Sequence, residues 1–189
     1  MKERMTLLFV KHTRNILAAV TRTSAGDKPA DDKAKELQNA QDLKDLVGDG
    51  LIVYLGGDAK TFPIPDLTQA EFLVPFDEFD AITDEFEEDV LSEARSFYCD
   101  EKKKAQLANP TLTLTPTSGD LKFAIPSALN VDTNVWALVR DESGSKSQIV
   151  SDKIEANKKD VTLTFSSPFP SSYFVLAMAA GYRPQSMKF

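Results

Sequence analysis

The sequence predicts an α+β protein, in which an N-terminal α+β unit with one long acidic amphipathic helix precedes an all-β, sandwich-like or small-barrel unit. Apolar residues recur every three or four positions between Phe76 and Phe97, but every second position in several segments after Pro110. The charge changes at the same place. Residues 1–108 carry 14 Lys and Arg against 22 Asp and Glu, whereas residues 109–189 carry 8 against 7. We therefore predict two units, 1–108 and 109–189.

The composition is that of an ordinary globular protein. The chain has 189 residues, of which 42% are hydrophobic and 27% charged, so it can bury a proper core. A net charge of −7 argues against non-specific binding to nucleic acid or to an anionic membrane. The first apolar run stops at Lys11, which is too early for a secretory signal. The single cysteine, Cys99, fits a reducing compartment, so we expect a cytoplasmic protein.

Short apolar runs predict the elements of the first half. The runs TLLFV (6–10) and ILAAV (16–20) predict a hairpin that is covered on both faces. A thin apolar stripe over 34–47 predicts a surface helix, and LIVYL (51–55) predicts a buried strand. The proline-rich segment 62–76 predicts an extended edge.

The stretch from Phe76 to Val90 holds eight carboxylates in fifteen residues. Phe79, Ile82, Phe86 and Val90 form an apolar stripe at helical spacing. The acids lie at the N-terminal end and Lys102–Lys104 near the C-terminal end, an order that complements a helix dipole. We therefore predict a scaffold helix with a solvated acidic face. A weak cation site at Asp80, Asp84, Glu87 and Glu88 is the alternative, and the prediction is that the chain holds no metal and no cofactor.

The second half reads as strands separated by turns. The runs TLTLT (111–115), LKFAI (121–125) and VTLTF (161–165) alternate as half-buried strands do, whereas NVWALV (134–139) and YFVLAMAA (173–180) are apolar throughout. SQIVSDKI (147–154) is a weaker candidate. Such short strands without intervening helices predict a sandwich or barrel.

Several motifs resemble catalytic ones without completing them. Lys60-Thr61 lacks the preceding glycine of a phosphate-binding loop. The S-x-x-K spacing of Ser143 and Lys146 lies in a Gly-Ser turn and predicts a hairpin loop. His12, the sole histidine, is the one imidazole that could activate Cys99 or a serine. We read His12 as a loop residue, Cys99 as an inert packed thiol and the chain as no enzyme.

These observations predict a non-enzymatic structural or adaptor subunit of a larger assembly, for example a phage-tail-like or contractile injection particle. Its partners would be other protein subunits or further copies of itself, bound through β-strand edges and the C-terminal tail, and not nucleic acid or membrane. In that tail Tyr182, Met187 and Phe189 are the predicted partner-binding residues. The first alternative is a carbohydrate or small-ligand module that would use Trp136, Tyr173 and Tyr182 as a stacking platform. The second is a hydrolase with an unrecognised site.

Overall fold

The computed structural model describes residues 2–21, 50–55, 70–117, 119–143, 145–166 and 172–189. Of these residues, 61% lie in strands and 8% in helical turns. The fold is therefore mainly β. Within the described residues no helix is long and apolar enough to cross a membrane.

The described residues form fourteen strands, one short helix and two 3₁₀ turns. The strands are β1 Lys2–Val10, β2 Ile16–Thr21, β3 Gly50–Leu55, β4 Ala70–Pro75, β5 Phe79–Glu87, β6 Phe97–Cys99, β7 Ala105–Leu107, β8 Thr113–Thr117, β9 Asp120–Ala124, β10 Thr133–Asp141, β11 Ser147–Ile154, β12 Asp160–Thr164, β13 Tyr173–Ala179 and β14 Gln185–Lys188. One short helix, α1, spans Glu88–Ser92, and single 3₁₀ turns span Phe76–Glu78 and Ala94–Ser96.

Three antiparallel sheets form the body of the molecule, in the strand orders β12-β9-β8, β11-β10-β13-β14 and β2-β1-β5. Two hairpins, β3-β4 and β6-β7, complete the described part. The four-stranded sheet lies in the middle. Its inner strands β10 and β13 have almost every residue buried. A strand covered on both faces reads as a continuous apolar run, which is the pattern these two segments show.

The C-terminal core lies between the four-stranded sheet and β12-β9-β8. It contains Leu112, Leu114, Leu121, Phe123, Ile125, Val135, Ala137, Val139, Ile154, Leu163, Phe165, Val175, Ala177, Ala179 and Tyr182. Alternate residues of β10 and β13 point into this core because successive strand residues face opposite sides of a sheet. Two sheets packed around this core give the β-sandwich that the sequence of the second half predicts.

The central core lies on the opposite face of the same four-stranded sheet. It contains Leu8, Val10, Leu17, Phe72, Val74, Phe79, Trp136, Leu138, Phe174, Leu176 and Met178. These residues come from both sides of the predicted boundary at 108/109. Independent folding of 109–189 stays a prediction, and the two halves share this layer of side chains in the whole protein.

The N-terminal core covers the outer face of the sheet β2-β1-β5. It contains Met5, Leu7, Phe9, Ile16, Phe86, Val90 and Cys99. Val90 lies on α1 and Cys99 on β6, so these short elements cover a sheet face that would otherwise meet water. The predicted hairpin of β1 and β2 is confirmed, and both of its faces are buried as predicted.

The α+β assignment is wrong because the long acidic helix does not form. Residues 79–87 are strand β5, which pairs with β1 in nine antiparallel residue pairs. The apolar residues of this stretch fit a strand with two covered faces as well as a helix. Phe79 packs into the central core, whereas Phe86 packs into the N-terminal core. Pairing with β1 supplies main-chain hydrogen bonds, and tertiary context overrides a local helical pattern of this kind.

The strand predicted at 6–10 begins four residues earlier, at Lys2, and the other predicted strands lie within two residues of their predicted bounds, with 51–55 in β3. β8 lies two residues further towards the C-terminus than predicted and includes Pro116, which has no main-chain N–H to donate. The predicted helix over 34–47 and the loop around Lys60-Thr61 lie outside the described residues.

Candidate functional site

A cleft of about 540 Å³ opens where the two halves of the chain meet. Four segments form its walls: the β1–β2 turn, the β6–β7 hairpin, the loop before β10 and the turn after β13. Its lining includes His12 to Arg14, Tyr98 to Glu101, Asn109, Leu129, Val131 to Asn134 and Ala180 to Tyr182. Ligand sites of this size commonly occur at such junctions.

Hydrogen bonds among the four segments hold the walls in place. The N–H of Cys99 donates to the carbonyl of Arg14 at 2.8 Å, which joins the hairpin to the β1–β2 turn. The Asn134 side chain donates to the carbonyl of His12 at 2.9 Å, and the N–H of Ala180 donates to Asn134 at 2.9 Å. Arg14 adopts a positive φ of 62°, which the turn requires and which costs a non-glycine residue energy. These hydrogen bonds fix three of the four segments relative to one another.

Two polar groups of the β1–β2 connection, of which only Thr13 lines the cleft, are buried without a hydrogen-bond partner in the described part of the chain. Thr13 lies in the wall, is fully buried, and its Oγ1 has no partner. Asn15 is fully buried next to it. Its amide donates to the carbonyl of Tyr182 at 2.5 Å, but its Oδ1 has no partner. A buried polar group without a partner costs about 1–3 kcal/mol of folding free energy.

The charged groups of the cleft are mostly acidic, and most of them are already paired. Asp100 accepts hydrogen bonds from the Lys104 N–H and the Gln106 amide, and these bonds lower its pKa. Asp132 is paired with Lys153, which together with the N–H of Ala156 lowers the pKa of that carboxyl.

Two charged groups remain at the cleft. Glu101 is exposed, and no hydrogen bond or ion pair to it occurs within the described residues. Arg14 donates to the Cys99 carbonyl at 2.7 Å and lies over the ring of Phe9. Glu101 is therefore the charged side chain of the cleft that has no hydrogen-bond partner in the described residues.

His12 and Cys99 line the same cleft, but each is engaged elsewhere. The Nε2 atom of His12 lies 3.0 Å from the carbonyl of Asp152. Cys99 is completely buried, and this burial raises the pKa of its thiol even though Arg14 lies beside the sulfur at 3.8 Å. A thiol whose pKa is raised is a poor nucleophile at neutral pH. This geometry does not provide an activated cysteine.

The predicted partner-binding residues share one side of the C-terminal segment. Tyr182 is 6% exposed and belongs to the C-terminal core, and Phe189 packs against that core and against the ring of Tyr173. Met187 is 38% exposed. Of the three, Met187 offers the most accessible apolar surface, and their role in partner binding stays a prediction.

The structure also shows where the other residues singled out in the sequence lie. Ser143 lies in the β10–β11 hairpin loop, as predicted, and its hydroxyl donates to the Asp141 carboxylate at 3.0 Å. Trp136 is fully buried in the central core, so it offers no sugar-stacking surface. The acidic residues of 77–89 lie along β5, α1 and a turn, and no group of three metal-binding side chains occurs in the described residues.

Sequence reasoning missed most of the cleft. Thr13 and Asn15 belong to a short polar segment between two apolar runs, and the sequence around Leu129 and Val131 predicts no site. Two apolar side chains in an otherwise polar loop were the available signal. The convergence of segments that are more than 100 residues apart leaves no local trace in a sequence.

Comparison with known proteins gives no relative: no family model, no curated protein and no solved structure matches this chain.

Proposed function

We propose that the protein is a non-enzymatic structural or adaptor subunit, which binds another protein through the edge strand β14 and the exposed Met187. One observation supports this most directly. The exposed side chain of Met187 lies on the edge strand β14 and extends the C-terminal core to the surface. A phage-tail-like or contractile injection particle is our working example of the assembly. The buried, unpaired Cys99 supports a reducing compartment such as the cytoplasm.

Strand β14 forms one edge of the four-stranded sheet and pairs with β13 alone among the described strands. Its last part is firmly held, because Tyr173 and Phe189 exchange two main-chain hydrogen bonds of 3.0 and 2.9 Å. In an antiparallel ladder the next residue, Lys188, then directs its main-chain groups away from β13. An extended segment of a partner can pair with such an edge.

Met187 lies opposite Val175, whose side chain is in the C-terminal core. Residues opposite each other in a sheet share a face, so Met187 extends that core to the molecular surface. Lys188, the only charged residue of β14, is held by an ion pair with Glu142 and lies over the ring of Phe174. A free lysine on an edge strand commonly prevents pairing with another chain. On β14 the single lysine is already held by Glu142.

Two other edges carry carboxylate caps, whereas the sequence of β14, QSMK, contains no Asp or Glu that could form one. On β5 the carboxylates of Asp80 and Asp84 accept the N–H groups of Ala81 and Glu85, both at 2.8 Å. On β11 the carboxylate of Asp152 accepts the N–H of Lys153 at the same distance. Capped N–H groups cannot pair with an incoming strand. This contrast supports β14 as the contact edge.

The test is to isolate the protein from its own cells as the wild type and as Met187→Glu. We expect the substitution to release a stoichiometric partner, measured by light scattering and mass spectrometry. The melting temperature should change by less than about 2 °C, because a surface substitution alters stability little. Copurifying tube, sheath or baseplate proteins would support the particle that we take as the example.

Leu107→Glu is the matched control, since Leu107 is 66% exposed and lies on β7. It should retain the partner. A wild-type protein that is isolated as a free monomer contradicts the proposal, and so does equal loss of partner in both variants. Deletion of 183–189 is less informative, because it also removes Phe189 from the C-terminal core.

A further inference from the structure

We infer that β14 pairs with β14 of a second copy of this chain, about a twofold axis that passes through Met187. The inference rests on the proposed role of β14 as the contact edge, and it names the partner. It follows from the hydrogen-bond phase of this strand, from the charge of Lys188 and from the exposure of Met187. Paired in this way, the four-stranded sheets of two molecules become one continuous sheet.

The hydrogen-bond phase of β14 decides which of its residues face a second copy. Tyr173 and Phe189 exchange two main-chain hydrogen bonds, so the odd-numbered residues of β14 direct their main-chain groups to β13. The even-numbered residues have the opposite phase and direct these groups outward. When a strand pairs antiparallel with its own copy about a twofold axis, outward positions meet outward positions. The phase is therefore compatible with self-pairing.

Charge and proline select one register among three. An axis at position 188 places Lys188 directly opposite Lys188 of the second copy, and like charges in such a pair are destabilising. An axis at position 186 places Lys188 opposite Pro184, which has no N–H to donate. An axis at Met187 places Lys188 opposite the uncharged Ser186. Each Lys188 then keeps its own ion pair with Glu142.

The register through Met187 also covers the exposed side chain of this residue. Met187 is 38% exposed, whereas Met5 and Met178 are almost completely buried. On the axis the two copies of Met187 form a non-hydrogen-bonded pair, in which the Cα atoms lie about 4.5 Å apart and the side chains are closest. Each thioether then covers the other on the face that the C-terminal core occupies. The edge is therefore self-complementary in apolar surface as well as in charge.

The contact is small, so the dimer should be weak. Each copy contributes one strand of four residues, whereas a stable complex buries roughly 800 Å² on each partner. We expect a concentration-dependent dimer with a Kd between about 10 µM and 1 mM, measured by sedimentation velocity. Met187→Glu should raise this Kd about tenfold or more, because it places two carboxylates on the axis. Met187→Leu keeps the apolar contact and should leave the Kd nearly unchanged.

A charge exchange at position 187 tests the twofold axis itself. Met187→Glu and Met187→Lys should each be monomeric, because each variant meets its own charge on the axis. An equimolar mixture of the two should associate again as a one-to-one heterodimer, since opposite charges then meet. The melting temperatures of both variants should stay within about 2 °C of the wild type. A mixture that stays monomeric would show that position 187 does not meet itself, which overturns the inference.

Cross-linking tests the register. In Met187→Cys the expected Cα separation of about 4.5 Å lies in the range of a disulfide, so mild oxidation should link the two copies. Gln185→Cys is the control on the same strand, because the two 185 positions lie about 14 Å apart along the strand direction in this register. The native Cys99 is completely buried and does not interfere. Equal cross-linking of the two variants, or a preferred link between positions 185 and 187 in their mixture, overturns the register.

Failure of this inference and failure of the proposed function give different results. A wild-type chain that stays monomeric at about 1 mM, yet retains a different protein that Met187→Glu releases, overturns the second copy and leaves β14 as a contact edge. A chain that associates equally well as the wild type and as Met187→Glu contradicts both.

Discussion

At the scale of single residues, side chains of the two halves of the chain bind each other directly. Trp136 is completely buried on β10, and its indole N–H donates to the carboxylate of Glu78 at 2.9 Å. A buried indole needs an acceptor, and Glu78 provides it from the 3₁₀ turn before β5. Glu78, which belongs to the acidic stretch, thus has a structural partner that the predicted helix did not suggest.

Trp136→Ala should lower the free energy of unfolding by about 3–5 kcal/mol, because it opens a large cavity in the central core. Urea denaturation followed by far-UV circular dichroism measures the change, since this tryptophan is the only one in the chain. Glu78→Gln keeps an acceptor for the indole and should cost far less. A loss below 1 kcal/mol for Trp136→Ala would show that the central core can collapse around the gap.

Asp141 makes stability depend on pH. Its partial burial raises the pKa, but hydrogen bonds from Ser145, the N–H of Lys146 and Ser143 outweigh that effect, and the net pKa is lowered. The unfolded chain therefore binds this proton more readily than the folded protein does. Asp141 contributes fully to the free energy of unfolding above its pKa in the unfolded chain, which is about 4. This contribution is lost as the pH falls through the lower pKa of the folded protein.

We expect Asp141→Asn to flatten the fall in unfolding free energy below pH 4, measured by urea denaturation across the acidic range. Removing the hydroxyl donors with Ser143→Ala and Ser145→Ala should flatten it in part, because fewer bonds then favour the carboxylate. Identical slopes for wild type and Asp141→Asn would rule out this role.

At the scale of elements, β5 is an edge strand with a defined hydrogen-bond phase. The N–H of Lys11 donates to the carbonyl of Glu78 at 2.9 Å, and alternate residues of β5 then bond to β1. This phase directs the N–H of Asp84 to β1 and that of Glu85 outward. The Asp84 carboxylate accepts the outward N–H, in agreement with the phase.

Asp84→Pro should therefore cost about 1 kcal/mol or more beyond Glu85→Pro, because only the first removes a ladder hydrogen bond. Both residues are exposed acids, so the pair is matched. Chemical denaturation measures the difference. Equal and large losses would instead indicate a helix, in whose interior either proline is costly.

The sequence identifies most strands because their side chains alternate or are uniformly apolar, as in LKFAI and YFVLAMAA. It misassigns β5 because Phe79, Ile82 and Phe86 satisfy helical spacing and also two opposite faces of a strand. The partner strand β1 decides between these, and it lies more than 70 residues away. The sequence does not predict the cleft for the same reason, since Thr13 and Val131 come to line one cleft only when the chain packs.

At the scale of the whole molecule, the four-stranded sheet carries a core on each face. The C-terminal core is made of residues from 112 onward, whereas the central core also needs Leu8, Phe72 and Phe79. The two halves have separate cores at the outer faces and one common core between them. Such an arrangement predicts one cooperative unfolding transition for the whole chain.

The fragment 109–189 should give a β-rich circular dichroism spectrum and a cooperative melt, because its own core is complete. It should also self-associate, since Trp136, Leu138 and Leu176 lose their cover. Sedimentation measures this association, and Leu138→Lys should reduce it. A random-coil spectrum would show that the common core is indispensable for folding.

The hydrogen bond from Asn15 to the carbonyl of Tyr182 spans 167 positions of the chain. It cannot form during translation until residue 182 has left the ribosome, although β1 and β2 emerge long before that residue. Long-range contacts of this kind slow folding, because distant segments must find each other before they gain contacts. The early hairpin would wait with one apolar face uncovered, a state in which β-rich chains aggregate. Synthesis rate and chaperone supply should therefore govern the yield of this protein more strongly than its final stability does.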